Sequence, residues 1–121
     1  MSIQYTTILL VDDEDAIRSA LHEYLEELRY NVILARNGDE AIAVIDGMVA
    51  IDLVITDIIM PGITDGIGLI KYVRRVSPGT RTIVMSGFTG DGGESIGAVD
   101  KFMSKPFTFL ALKREIDLLI H

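Results

Sequence analysis

Short apolar segments rich in Ile, Val and Leu recur along the chain, separated by residues that favour turns. Between them, apolar residues recur at helical spacing, as Ile17, Leu21 and Leu25 do in the first intervening segment. This alternation, with nearly continuous apolar strands, predicts an α/β fold whose parallel sheet is covered by helices on both faces. The five predicted strands are residues 7–11, 31–35, 53–56, 82–85 and 101–104.

The segment between the fourth and fifth strands is a poor helix by its composition. Residues 87–97 contain five glycines, and each costs up to about 1 kcal/mol relative to Ala inside a helix. We therefore expect the fourth helix to be short or mobile.

Composition limits the size and the class of the protein. The 121 residues, 49% hydrophobic and 24% charged, suit one globular domain over residues 1–121. No apolar run approaches the roughly 20 residues of a membrane helix, and a secretory signal pattern is missing. We expect a cytoplasmic protein that does not bind membranes. The lack of Cys excludes disulfides and thiolate metal sites.

Charge is unevenly distributed along the chain. Residues 1–66 carry 13 acidic and 3 basic side chains, whereas residues 67–121 carry 5 acidic and 8 basic ones, for a net charge of −7. Because phosphate neutralisation needs clustered Lys and Arg, we expect no direct binding to nucleic acid. The acidic half suits a bound cation or a surplus of solvated charge, and the charge count does not distinguish the two.

Polar residues that can bind ligands or react follow four of the predicted strands. Asp12 and Asp13 follow the first strand, Asp57 the third, Ser86 the fourth and Lys105 the fifth. Each has a simple structural explanation, such as a helix cap for Asp12 or Asp13 or a turn for Asp57 and Ser86. Ligands in an open parallel sheet bind beyond the carboxyl ends of the strands, however, and all five residues lie there. Their conjunction predicts a functional site.

The chemistry of such a site follows from its charges. Carboxylates crowded at one sheet edge do not all stay ionised without a cation. Oxygen ligands without His or Cys select a hard ion such as Mg²⁺. An Asp can then attack a phosphoryl group and form an aspartyl phosphate, while a lysine and a hydroxyl neutralise charge on the transferring oxygens.

With these motifs the chain resembles the receiver domain of two-component response regulators. The matching segments are residues 8–13, 57–62, 86–87 and 105–107, in the order of the family and over nearly the whole chain. The resemblance implies a flavodoxin-like, doubly wound five-stranded sheet of strand order 2-1-3-4-5.

The resemblance also implies residue roles around a Mg²⁺ ion. Asp57 would be the phosphoacceptor and would lie beside the metal. Asp13 and the backbone carbonyl of Ile59 would contact the metal directly, and Asp12 would contact it through water.

Three further residues acquire roles from the resemblance. Lys105 would hold a phosphoryl oxygen, and Ser86 would move to hydrogen-bond it. Phe102 occupies the place of the switch aromatic of the family, although core packing also explains it. The Lys105-Pro106 peptide bond is expected to be cis.

The implied function is signalling in a two-component system or phosphorelay. The receiver would take a phosphoryl group from a histidine kinase or a histidine phosphotransfer protein, and would catalyse only its own phosphorylation and dephosphorylation. A phosphorylation-dependent dimer and an output partner of unknown identity are compatible with this function. The chain departs from the family pattern by one extra residue before Gly66, and we expect Asp65 to cap the third helix there.

Other interpretations use the same residues differently. A degenerate receiver would act as an interaction module without phosphorylation, but the intact set of site residues disfavours it. A haloacid-dehalogenase-like phosphohydrolase would use the Asp13-Glu14-Asp15 sequence, but Ala16-Ile17 follows where Gly-Thr is expected. A flavin-binding module would need a glycine- and hydroxyl-rich loop after the first strand, where this chain has four acids.

Overall fold

The structure is a computed structural model that describes residues 6–47, 49–58, 62, 65–87 and 99–120. The helix expected between the fourth and fifth strands lies outside these residues. In the described part, strands and helices alternate as β1 (Thr7–Val11), α1 (Asp15–Glu27), β2 (Asn31–Ala35), α2 (Gly38–Asp46), β3 (Leu53–Asp57), α3 (Gly66–Val76), β4 (Arg81–Ser86), β5 (Lys101–Ser104) and α4 (Phe109–Ile120).

The strands form one parallel sheet of order β2-β1-β3-β4-β5, as predicted. β1, β2 and β5 have the predicted bounds. β3 extends one residue further, to Asp57, and β4 is longer by one residue at each end, from Arg81 to Ser86. The ladder therefore includes polar residues at strand ends, which a pattern of apolar residues does not reveal.

Helices cover both faces of the sheet, so the predicted doubly wound architecture is confirmed. α1 and α4 pack on one face, and α2 and α3 on the other. The first core layer contains Ile8, Leu10, Leu21, Leu25, Leu53, Ile55, Ile83, Met85, Met103, Leu112 and Ile116. The second contains Leu9, Val11, Ala35, Ala41, Val54, Leu69 and Val73.

Capping side chains fix where the helices on the second face begin. Asn37 accepts a hydrogen bond from the Glu40 amide at 2.8 Å at the start of α2. Asp65 accepts one from the Gly68 amide at 2.8 Å at the start of α3, which confirms its predicted capping role.

α1 begins differently from the explanation that assigned a capping role to Asp12 or Asp13. Its N-cap is Glu14, which makes no side-chain cap hydrogen bond. Asp12 instead accepts a hydrogen bond from the Glu14 amide, outside the helix. No helix in the described ranges is long and apolar enough to cross a lipid bilayer.

Candidate functional site

The register of the sheet brings the predicted site residues to one edge. In a parallel sheet all strands end at the same edge, so Asp12, Asp57, Ser86 and Lys105 follow one another across four neighbouring strands. The registered pairs at this edge are Val11 with Thr56, Asp57 with Met85, and Ser86 with Ser104.

Asp57 and Lys105 form the central contact of the site. The Lys105 ammonium Nζ donates to Asp57 Oδ2 at 2.7 Å, and the Ile58 amide donates to Asp57 Oδ1 at 2.9 Å. The two side chains are 11% and 18% exposed, respectively. The backbone thus fixes Oδ1 of Asp57, while Oδ2 pairs with the Lys105 ammonium in a largely buried position.

Asp12 lies beneath this pair and is fully buried. Its Oδ1 accepts a hydrogen bond from the Glu14 amide at 2.9 Å. Its Oδ2 has no hydrogen-bond partner among the described residues and lies 3.5 Å from Lys105 Nζ. Burial raises the pKa of Asp12, and the Glu14 amide and Lys105 oppose that rise only in part.

The acidic side chains of the site suit a hard metal ion. Carboxylate oxygens of Asp12, Asp13 and Asp57 lie within 4.8 Å of one another. An orphaned buried oxygen on Asp12 and an oxygen-only donor set are the chemistry that Mg²⁺ requires. The residues present therefore fit the ion. Ile59, whose carbonyl was expected to be a further ligand, lies outside the described residues.

Lys105 carries its positive charge securely in this environment. Burial works against the ammonium, but the hydrogen bond to Asp57 and the charges of Asp12 and Asp57 outweigh it, so the pKa of Lys105 is raised. The lysine stays protonated and can neutralise negative charge that enters the site.

A cavity of about 240 Å³ opens between these groups, and we name it the acidic cleft. Ser86 lines it and is almost fully buried, and its carbonyl accepts from the Lys105 amide at 2.6 Å. The acidic cleft is lined by Asp13, Glu14, Asp57, Ile58, Ser86, Gly87 and Lys105.

Phe102 lies on β5, three residues before Lys105. It is half-buried and packs against the cluster of Ile58, Ile70 and Val84 on the α3 side of the sheet. It does not line the acidic cleft, but the cluster it packs against includes the residue that follows Asp57. The Lys105-Pro106 peptide bond is cis, as predicted.

Two residues at the site are not among those the sequence pattern singled out. The guanidinium of Arg18 donates to the carbonyl of Asp12 at 2.8 Å. Gly66 lies so close to β3 that an added Cβ would be 2.1 Å from the Asp57 carbonyl oxygen. A basic residue one turn into an acidic helix is a weak sequence signal for Arg18, and the neighbouring cap Asp65 is one for Gly66.

Comparisons with known proteins match the fold and identify the family. A family model described as the response regulator receiver domain matches residues 8–117. The transcriptional regulatory protein ResD of Bacillus subtilis (strain 168) is 39% identical over 108 residues, which are 85% of this chain and 43% of ResD. The sensor kinase CckA of Brucella abortus (strain 2308) is 34% identical over 110 residues, which are 88% of this chain and 12% of CckA. The chain spans less than half the length of these relatives.

Solved structures give the same result. The response regulator protein TrrA from Thermotoga maritima, crystallised in complex with Mg²⁺ and BeF, has a TM-score of 0.86 and 34% identity, covering 95% of this chain and 99% of TrrA. A CheY-like receiver domain protein from Methanospirillum hungatei JF-1 has a TM-score of 0.89 and 25% identity, covering 95% and 93%. The family model spans most of the sequence and the solved structures share the fold, and the chain therefore belongs to the response regulator receiver domain family.

Proposed function

We propose that this chain is a signalling receiver that takes a phosphoryl group onto Asp57 in a Mg²⁺-dependent reaction. The contact that carries the proposal is the 2.7 Å hydrogen bond between Asp57 Oδ2 and Lys105 Nζ at the edge of an acidic cleft. A carboxylate held on one side by the Ile58 amide and on the other by a lysine is a positioned nucleophile with a cation ready for the incoming charge.

The reaction is a transfer between two nucleophiles. A carboxylate oxygen of Asp57 attacks the phosphorus of a phosphohistidine and forms an O–P bond. The N–P bond breaks, and its electron pair returns to the imidazole nitrogen of the donor. Lys105 then pairs with a phosphoryl oxygen instead of Asp57. Hydrolysis reverses the modification when water attacks the phosphorus and releases inorganic phosphate.

Asp12, Asp13 and Asp57, with the carbonyl of Ile59, would hold the Mg²⁺ ion. When bound, the ion offsets the repulsion between the acidic cleft and the phosphoryl oxygens. Asp12 contributes a buried oxygen that has no other hydrogen-bond partner in the described ranges, and Asp13 contributes a carboxylate on the exposed side.

We assign the switch to Ser86 and Phe102. Ser86 lines the acidic cleft, so its hydroxyl can hydrogen-bond a phosphoryl oxygen after a small movement. Phe102 packs against the cluster that contains Ile58, the residue after the phosphoacceptor, and would connect the site to the surface beside β5. The altered surface then controls an output partner or the formation of a dimer.

The donor is a histidine kinase or a histidine phosphotransfer protein in the cytoplasm. Both sensor kinases and transcriptional regulators occur among the relatives, which supports a partner of this kind. An apolar groove shares Lys105 with the acidic cleft, and we assign it to the phosphohistidine-bearing domain. The groove is lined by Ile17, Ala20, Leu21, Lys105, Pro106, Phe107 and Phe109.

The intact mass of the protein after treatment with a small phosphodonor tests this function. Wild-type protein should gain one phosphoryl group with Mg²⁺ and none when the metal is chelated. Asp57→Asn should gain none under either condition, whereas the matched control Asp52→Asn, at the opposite end of β3, should behave as wild type. Wild-type protein that gains no mass with Mg²⁺ would instead support an interaction module that works without phosphorylation.

A further inference from the structure

The side chain of Arg18 lies under the loop that carries the two N-terminal acids of the site. It projects from the first turn of α1 and is only 13% exposed. One guanidinium nitrogen donates to the backbone carbonyl of Asp12 at 2.8 Å, and the other donates to Asp15 Oδ1 at 2.5 Å. The guanidinium thus connects the backbone carbonyl of Asp12 to the side chain of Asp15, the first residue of α1.

Asp12 and Asp13 are held in different ways. Asp12 is already fixed, because its amide donates to the Ala35 carbonyl at 3.2 Å and its Oδ1 accepts from the Glu14 amide. In the described part of the chain no hydrogen bond holds the Asp13 carboxylate, which is exposed. Its direction therefore depends on the backbone that leads into it, and Arg18 binds that backbone at the Asp12 carbonyl.

The charge of Arg18 works against any simple electrostatic role. A guanidinium next to a cluster of carboxylates lowers their attraction for a cation. If charge alone mattered, removal of Arg18 would tighten the binding of Mg²⁺. If Arg18 orients the loop, its removal would weaken the binding of Mg²⁺. The two roles predict opposite changes.

We infer that Arg18 is a positioning residue that fixes the peptide between Asp12 and Asp13 so that the Asp13 carboxylate can bind Mg²⁺ together with Asp12 and Asp57. This rests on the proposed function, because it assumes a metal bound by Asp12, Asp13 and Asp57. Groups that orient metal ligands without touching the metal commonly account for about 10-fold to 100-fold in affinity.

Calorimetric titration of the unphosphorylated protein with MgCl₂ tests the inference without any phosphorylation step. Arg18→Met should raise the Kd for Mg²⁺ about 10-fold or more. Arg18→Lys keeps the charge but reaches only one of the two acceptors, so it should also bind Mg²⁺ more weakly than wild type. Arg36→Met is the matched control, because Arg36 pairs with Glu40 at the same edge but is 69% exposed and makes no contact with Asp12.

The rate of phosphorylation by a small phosphodonor gives a second measurement. A positioning role predicts that Arg18→Met needs more Mg²⁺ for half-maximal rate but recovers most of the wild-type rate at saturating Mg²⁺. Equal or tighter Mg²⁺ binding by a folded Arg18→Met, or wild-type affinity in Arg18→Lys, would overturn the inference and leave the proposed function intact. Wild-type protein that binds no Mg²⁺ would overturn the metal site itself, and this inference with it.

Discussion

Substitution of Gly66 by Ala tests how closely helix α3 approaches the strand that carries Asp57. Gly66 is the first residue of α3, and its amide donates to the Ile58 carbonyl at 3.0 Å, so helix and strand are in direct backbone contact. An added Cβ would lie 2.1 Å from the Asp57 carbonyl oxygen and 2.7 Å from Ile58 Cα. Both neighbours are backbone atoms of a buried strand end and cannot rotate away.

The expected loss follows from this overlap. Favourable non-bonded separations are roughly 3.5 Å, so α3 or the end of β3 must move by about 1 Å. Overpacking of this kind costs about 1–3 kcal/mol, and we expect a value near the upper end because the obstacle is main chain. The melting temperature should fall by roughly 10–15 °C.

Urea unfolding followed by circular dichroism measures this loss, with Gly79→Ala as the control. No atom lies within 4 Å of a Cβ added at Gly79, so that variant should stay within about 1 kcal/mol of wild type. Because the displaced strand end carries Asp57, Gly66→Ala should also bind Mg²⁺ more weakly than Gly79→Ala does. A Gly66→Ala protein as stable as the Gly79→Ala protein would refute the close backbone approach.

Three further predictions concern charge and surface. Burial opposes ionisation of Asp100, but a hydrogen bond from Arg74 and its charge outweigh it and hold the pKa of Asp100 below its ordinary value of 3.8. The contribution of Asp100 to stability is therefore present above the pKa of the unfolded chain and lost as pH falls through the pKa of the folded protein. Asp100→Asn should lower the free energy of unfolding by about 1–3 kcal/mol at pH 7 and by less below about pH 4. A loss of stability that does not change with pH would contradict this. Asp12→Asn removes a buried carboxylate, so in the absence of metal the variant should resist urea at least as well as wild type. It should not gain the stability that Mg²⁺ gives to wild type. A variant clearly less stable than wild type when the metal is chelated would contradict this. Phe109→Ser should slow phosphotransfer from the cognate kinase but not from a small phosphodonor, because Phe109 is 41% exposed in the apolar groove. Leu118 is 78% exposed on the same helix and lies outside the groove, so Leu118→Ser should change neither rate. Equal slowing of phosphotransfer by both variants would refute the assignment of the groove to the donor.

Much of the fold was predictable because its signals are local. The strands are apolar segments between turns, and their alternation with helices leaves few topologies. Asp65 was predictable as a cap because it directly precedes a helical pattern. The residue that caps α1 was not predictable, since any of four consecutive acidic residues could cap the helix. The outcome depends on the hydrogen bond from the Glu14 amide to Asp12.

The candidate site was predictable where topology alone determines it. Parallel strands end at one edge, so Asp12, Asp57 and Lys105 had to meet once the strand order was assumed. Arg18 and Gly66 were not predictable, because their roles depend on distances between segments remote in sequence or on the packing of a helix against a strand.

In the proposed function, Asp57 alone accepts the phosphoryl group. The most direct test is to phosphorylate the wild-type protein with Mg²⁺, trap the acyl phosphate by borohydride reduction, and locate the reduced residue by tandem mass spectrometry of the peptides. One modified position, Asp57, is expected, with no modification when the metal is chelated. Modification at Asp12 or Asp13, or an equal yield of reduced Asp57 without metal, would contradict it.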